Sequence, residues 1–110
     1  MIKNILPKSI FGLRLREARL RVGIPQDKLG VMIGLDEASA SARISRYENG
    51  VHAPPFELVE QIAIVLKLPA SFFYCDDDRL AEIMRIYFLA SDEKREHLLN
   101  CANDISRITN

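Results

Sequence analysis

The sequence predicts an all-α fold, and three observations carry that expectation. Apolar residues recur at three- and four-residue spacing, as they do when one face of a helix is turned to a core, most clearly in Phe11, Leu15, Ala18, Val22 and in Leu58, Val59, Ile62, Val65, Leu66. Residues that start helices stand before these stripes (Ser9, Pro25, Pro55, Pro69, Ser91) and residues that stop them stand after (Gly23, Gly34). A chain of 110 residues, 48% of them hydrophobic, supports one small core with a modest extension.

In chain order, the residues before Pro7 read as a loose arm, with Ile2, Ile5 and Leu6 available to pack on a neighbour. Ser9 is the expected N-cap of a first helix that buries Phe11, Leu15, Ala18 and Val22, carries Arg14, Arg16 and Arg21 on its other faces, and ends at Gly23. The second helix follows Pro25 and places Leu29, Met32 and Ile33 on its apolar side. It stops at Gly34, a residue free to take positive φ. A third helix carries the stripe Ala40, Ile44, Tyr47, and its other side is small, polar and basic. Such a face fits a groove about 12 Å wide and can offer donors to base edges, which makes Ser41, Ala42, Arg43, Ser45 and Arg46 the expected base-contacting residues of double-stranded DNA. Ala42 is small enough for close approach or for a thymine methyl. Gln26 at a helix start, Lys28 and the backbone near Asn49 are the expected phosphate contacts.

Pro55 is expected at the first turn of a fourth helix running from about Phe56 to Lys67, and Pro69 opens a short fifth helix whose Phe72, Phe73 and Tyr74 close the core. The run Asp76, Asp77, Asp78 reads as a helix N-terminus, where negative charge suits the dipole, rather than as a metal site. No glycine and distal glutamate in register complete a calcium loop, so no metal and no cofactor is expected. Two amphipathic helices end the chain, striped by Leu80, Ile83, Met84, Tyr87, Phe88 and by Leu98, Leu99, Ala102, Ile105, Ile108. They hold more apolar surface than the preceding core needs, which points to a partner surface.

The run Gln26, Leu29, Gly34, Ile44, Ser45, Tyr47, Glu48, Asn49, Gly50 resembles the helix-turn-helix of the Xre, Cro and phage-repressor family, and the likeness extends from about Phe11 to Tyr74. Its most specific part is Ile-Ser-Arg-Tyr-Glu-Asn-Gly, from Ile44 to Gly50. The resemblance implies a five-helix lambda-repressor-like domain followed by the two C-terminal helices, a glutamine at Gln26 on the DNA backbone, and a buried ion pair between Arg19 and Glu48. One departure stands out: the family usually has five residues between the turn glycine and the isoleucine, whereas Leu35 to Arg43 are nine. Four more residues are about one helical turn, or roughly 6 Å of rise. Because Glu37 to Ala42 contain neither Gly nor Pro, the expectation is a third helix that starts one turn early, capped by Asp36.

Net charge is zero, but its distribution is uneven: nine bases and five acids up to Gly50, six bases and ten acids from Val51 onward. A basic DNA-facing unit at 1–75 with an acidic helical extension at 76–110, expected to dimerise, accounts for that split. Charges interrupt every apolar run and the N-terminus lacks a signal-peptide core, so no membrane segment and a cytoplasmic location are expected. Cys75 and Cys101 lack metal spacing and read as reduced thiols. The expected function is a sequence-specific DNA-binding transcriptional regulator, a repressor acting as a homodimer on a palindromic operator. The alternative is an antitoxin or another protein-interaction regulator whose C-terminal helices hold a partner while DNA binding serves autoregulation. No nucleophile-base-acid set or phosphate loop suggests an enzyme.

Overall fold

The computed structural model describes residues 9–109, so the expected packing of Ile2, Ile5 and Leu6 lies outside the described residues. Among the described residues the chain is helical throughout its regular structure: α1 (Ile10–Val22), α2 (Gln26–Met32), α3 (Ala40–Glu48), α4 (Phe56–Leu66), a 3₁₀ turn (Ala70–Tyr74), α5 (Asp78–Leu89) and α6 (Asp92–Thr109). Ser9 caps α1 by accepting from the Gly12 amide at 3.0 Å. Gly23 closes the same helix with φ 82°, where its amide reaches the Arg19 and Leu20 carbonyls.

Leu15, Leu29, Ile44, Val59, Ile62 and Phe73 are sealed from solvent at the centre, one or two from each of the first four helices and the 3₁₀ turn. Burying side chains of this size contributes about 1.5 to 3 kcal/mol each. Phe11, Phe72 and Phe73 stack in tilted and edge-on pairs with centroids 5.4 to 5.7 Å apart. Two glycines let helices approach more closely than any side chain allows. A Cβ on Gly12 would run into the Glu48 and Tyr47 carbonyls, and one on Gly30 would sit 2.6 Å from the Ala40 Cβ.

Several sequence expectations need correction. The third helix does not start early: Ser39 (φ −117°, ψ 0°) is its N-cap, and Asp36 to Ser39 form a turn closed by the Ser39 amide on the Asp36 carbonyl at 3.0 Å. The Gly30–Ala40 contact fixes where α3 begins, and that tertiary constraint overrides the mild helix propensity of Glu37 and Ala38. Pro55 is the N-cap of α4 rather than a first-turn residue, and α4 stops at Leu66 because Lys67 takes the left-handed conformation, φ 58°. Met32 is exposed, since α3 rests on Gly30 instead. Val22 is exposed too and overlooks a cleft shared with Leu68 and Leu89, while Tyr74 flanks Phe11 with half its surface in solvent.

Arg14 reverses an expectation as well, being buried rather than decorating α1. Its Nε donates to the Cys75 carbonyl at 2.8 Å, Nη1 to Glu17 at 3.0 Å and Nη2 to Asp78 at 2.9 Å. Burial alone would lower its pKa, but the hydrogen bonds it donates to Asp78 and Glu17 outweigh that and hold the net shift upward, so the guanidinium stays charged. Arg14 thereby ties α1 to the start of α5. Asp77 caps α5 by accepting from the Arg79 and Leu80 amides, and Ala81 and Met84 complete the core from that helix.

Beyond Met84 the packing changes character. No described residue of α6 is buried, and the helix packs against α5. The chain has a radius of gyration of 16.2 Å, against about 13 Å for a compact domain of this length. No helix among the described residues is long and apolar enough to cross a membrane.

Candidate functional site

The site is the exposed side of α3 together with the N-terminus of α2. Ala40, Ile44 and Tyr47 seat α3 on the core, so helical geometry turns Ser41, Ala42, Ser45, Arg46 and Asn49 to the opposite side. Ser41, Ala42, Arg46 and Asn49 are exposed and Ser45 is half-buried. Arg43 sits on the flank instead, half-buried, with Nη2 donating to the Tyr47 hydroxyl at 3.1 Å. The Arg46 side chain makes no hydrogen bond or ion pair among the described residues, and neither does that of exposed Lys28 at the start of α2. Both cations are therefore available to a ligand without breaking an existing contact.

A hydrogen-bond network beneath this face fixes the relation of the first three helices. Arg19 of α1 donates Nε to Glu48 Oε2 at 2.5 Å and Nη2 to Oε1 at 3.2 Å, and its Nη1 reaches the Ile24 carbonyl at 3.0 Å. The Glu48 side chain is 1% exposed and that of Arg19 10%, so this is a fork-to-fork ion pair held away from water. Gln26 extends the network: Nε2 donates to Glu48 Oε1 at 3.0 Å, and its Oε1 lies 3.5 Å from the Ser41 hydroxyl. One glutamine side chain thus joins the start of α2 to both ends of α3. Asn49 folds back on α3, its Nδ2 donating to the Ser45 carbonyl and hydroxyl at 2.9 and 3.2 Å.

Charge bookkeeping from the sequence overstates the free basic surface. Arg14 and Arg19 are consumed by internal pairs, Arg21 lies 4.0 Å from Glu82, and Lys3 and Lys8 lie outside the described residues. Arg16, Lys28, Arg43 and Arg46 remain outside ion pairs. His52 is exposed in the loop after α3. Of the acidic run, Asp77 serves as a helix cap and Asp78 as the Arg14 partner, and no metal-binding group of His, Cys, Asp and Glu occurs among the described residues.

What sequence reasoning missed here is the support beneath the face, Gly12, Gly30 and the amide link through Gln26, and, on the side of α1 toward α5, the buried Arg14. A signal for Arg14 was present. Positions 11, 14, 15 and 18 share one helical stripe, so Arg14 lies among the apolar residues of α1.

The helix-turn-helix family model matches residues 15–73, which contain the whole of this network and face. An uncharacterized HTH-type transcriptional regulator of Sinorhizobium medicae is 32% identical over 65 residues, 59% of this chain, and a second one, R00410 of Rhizobium meliloti, matches to the same extent. The chain spans 44% of the length of these two relatives. The crystal structure of the transcriptional regulator BswR superposes with a TM-score of 0.81 at 39% identity, over 84% of this chain and 92% of that one.

Proposed function

The chain belongs to the helix-turn-helix family in its Xre-like form, and on that premise we propose that it is a sequence-specific DNA-binding transcriptional regulator, a repressor that occupies a palindromic operator as a homodimer. The observation that carries the proposal is the division of α3 into a seated side (Ala40, Ile44, Tyr47, Glu48) and a solvent side holding Ser41, Ala42, Ser45 and an unpaired Arg46. A helix presented in this way enters the major groove, where Arg46 pairs with guanine and Ala42 lies close to the bases. Ser41 and Ser45 are further base-edge donors, and Arg43 joins them by leaving the Tyr47 hydroxyl. Gln26, Lys28 and the backbone at Asn49 hold phosphates and set the docking angle. The few free cations imply that shape and hydrogen bonding, more than bulk charge, place the protein on its site.

In this reading residues 1–75 bind DNA and 76–110 assemble the dimer, α5 belonging partly to both because Ala81 and Met84 complete the core. A single unit reads few base pairs, and two units spaced by one turn of the duplex supply the missing specificity. The exposed Leu80, Ile83, Tyr87, Leu99 and Ile108 favour a protein contact at this end of the chain. The same surface supports a second reading, an antitoxin-like regulator whose partner is a different protein.

Selection of bound duplexes from random DNA, followed by footprinting, tests the proposal. The expected result is an inverted repeat whose half-sites are about 34 to 36 Å apart. Failure to enrich any sequence overturns sequence-specific binding. Enrichment of a single asymmetric half-site overturns the dimer.

A further inference from the structure

Three arginines donate hydrogen bonds to an element other than their own, and together they join α3 to the last helix without a gap. Arg19 of α1 holds Glu48 at the end of α3. Arg14, five positions earlier and about 140° around the same helix, faces another side. It holds the Cys75 carbonyl and Asp78, with its guanidinium carbon 5.9 Å from the Phe72 ring centroid. Arg95 of α6 donates Nε to the Tyr87 carbonyl at 2.9 Å and Nη2 to the Phe88 carbonyl at 2.6 Å, and it stacks over the Tyr87 ring 5.2 Å from the centroid.

A planar guanidinium bonded at two or more nitrogens fixes direction as well as distance. Packing does little of this work in the second half of the chain, since α5 buries only Ala81 and no described residue of α6 is buried. Hydrophobic burial is in any case non-directional, so the polar ties decide how the extension points. Arg14, itself buried, anchors the start of α5, and Arg21, two turns further along α1, lies 4.0 Å from Glu82 and gives α5 a second point of attachment. The bonds of Arg95 satisfy the last carbonyls of α5 and at the same time fix the angle at which α6 departs.

We infer that Arg14 and Arg95 are positioning residues for operator recognition: by fixing α5 and α6 to the DNA-facing unit, they set the separation of half-sites that a dimer accepts. The inference rests on the dimer reading above and adds what determines its geometry. Neither side chain needs to touch DNA, because each acts through the helix it holds. The leverage is large. Tilting the 18-residue α6 by roughly 7° swings its far end, about 27 Å away, through about 3.4 Å, the rise of one base pair. Each base pair also turns the next half-site by roughly 34 to 36° around the duplex, so a loosened extension and a shifted half-site meet the same geometric requirement.

The test uses the full chain and the half-site found by selection from random DNA. Wild type, Arg14→Met, Asp78→Ala and Arg95→Met are bound to an isolated half-site and to paired half-sites whose separation is changed one base pair at a time. Wild type should prefer one separation and lose affinity several-fold at the next, whereas the variants should keep the half-site affinity and show a separation profile several-fold flatter. Methionine keeps the reach of the side chain and removes its donors. Arg14→Met leaves the Cys75 carbonyl without that donor, and if circular dichroism shows it unfolded, Asp78→Ala decides, because the Asp78 side chain is 85% exposed and breaks the same tie. Folded variants with the wild-type separation profile overturn the inference and leave the dimer reading intact. Equal losses on isolated and paired half-sites overturn it as well, since that is what general destabilisation produces. A wild type that sediments as a monomer, or that accepts every separation equally, overturns the dimer reading and the inference with it.

Discussion

The first four helices with the 3₁₀ turn, and the pair α5–α6, are built from similar residues and use them in opposite ways. In the first region most of each apolar stripe is sealed, Val22 and Met32 excepted, and two of its charges are internal, Arg14 and Arg19 both being buried in ion pairs. In the second, α5 buries only Ala81, and its ion pairs, such as Arg85–Glu82 and Arg107–Asp104, are short-range pairs on the surface. Charge placed inside a fold makes geometry depend on every partner being present, whereas exposed i,i+3 pairs contribute about 0 to 1 kcal/mol. The first region is thus a rigid mount for α3, and the second leaves much of its apolar surface exposed.

The comparison is most severely tested by breaking the internal pair. Glu48→Ala strands the Arg19 guanidinium away from water and should cost about 3 to 5 kcal/mol of stability, read by thermal or denaturant unfolding. Melting like wild type would mean that the pair is energetically a surface pair. Next in size, Gly30→Ala pushes a methyl into Ala40, and overpacking of that kind costs about 1 to 3 kcal/mol. Here the expected companion effect is weaker DNA binding, because α3 is displaced relative to α2, and unchanged binding would show that the helices shift together.

In the second region, Ile108→Ser should change unfolding stability measured on dilute chains by less than about 0.5 kcal/mol while raising the dimer dissociation constant. Loss of stability comparable to a core substitution would show that α6 is part of the fold of the monomer. The smallest effect concerns Glu82. Its hydrogen bond from Arg85 holds the carboxyl below the ordinary carboxylate value against a slight opposing effect of burial. A depressed pKa stabilises the folded chain above the ordinary value, and that contribution disappears as pH falls through the lowered one. Glu82→Gln should therefore flatten the acid limb of the stability profile slightly and leave it unchanged near neutrality.

The helices of the first region were legible because local chemistry sets them. Ser9 caps, Gly23 stops, and the stripe through Phe11, Leu15 and Ala18 finds the core. The turn from Asp36 to Ser39 was not legible, because its residues are acceptable in a helix and the constraint that ends the turn is a contact ten residues apart, Gly30 against Ala40. For the candidate site, the solvent side of α3 followed from periodicity alone. The engagement of Gln26 with Glu48 and Ser41, and of Arg43 with Tyr47, did not, since hydrogen-bond partners across helices leave no trace in spacing. Arg14 was hidden by its type: a charged residue on a buried stripe reads as surface until Asp78, 64 positions later, supplies the counter-charge.

If α3 reads bases while the start of α2 holds the backbone, binding of Arg46→Ala and Lys28→Ala to operator and scrambled duplexes over a salt series separates these roles. Loss of an arginine that pairs with guanine should cost about 1 to 3 kcal/mol on the operator and little on scrambled DNA. Loss of Lys28 should weaken both duplexes alike and reduce the salt slope by about one, since one fewer counterion is released. If Arg46→Ala instead weakens both duplexes equally, Arg46 is a phosphate clamp and α3 does not read the sequence as described.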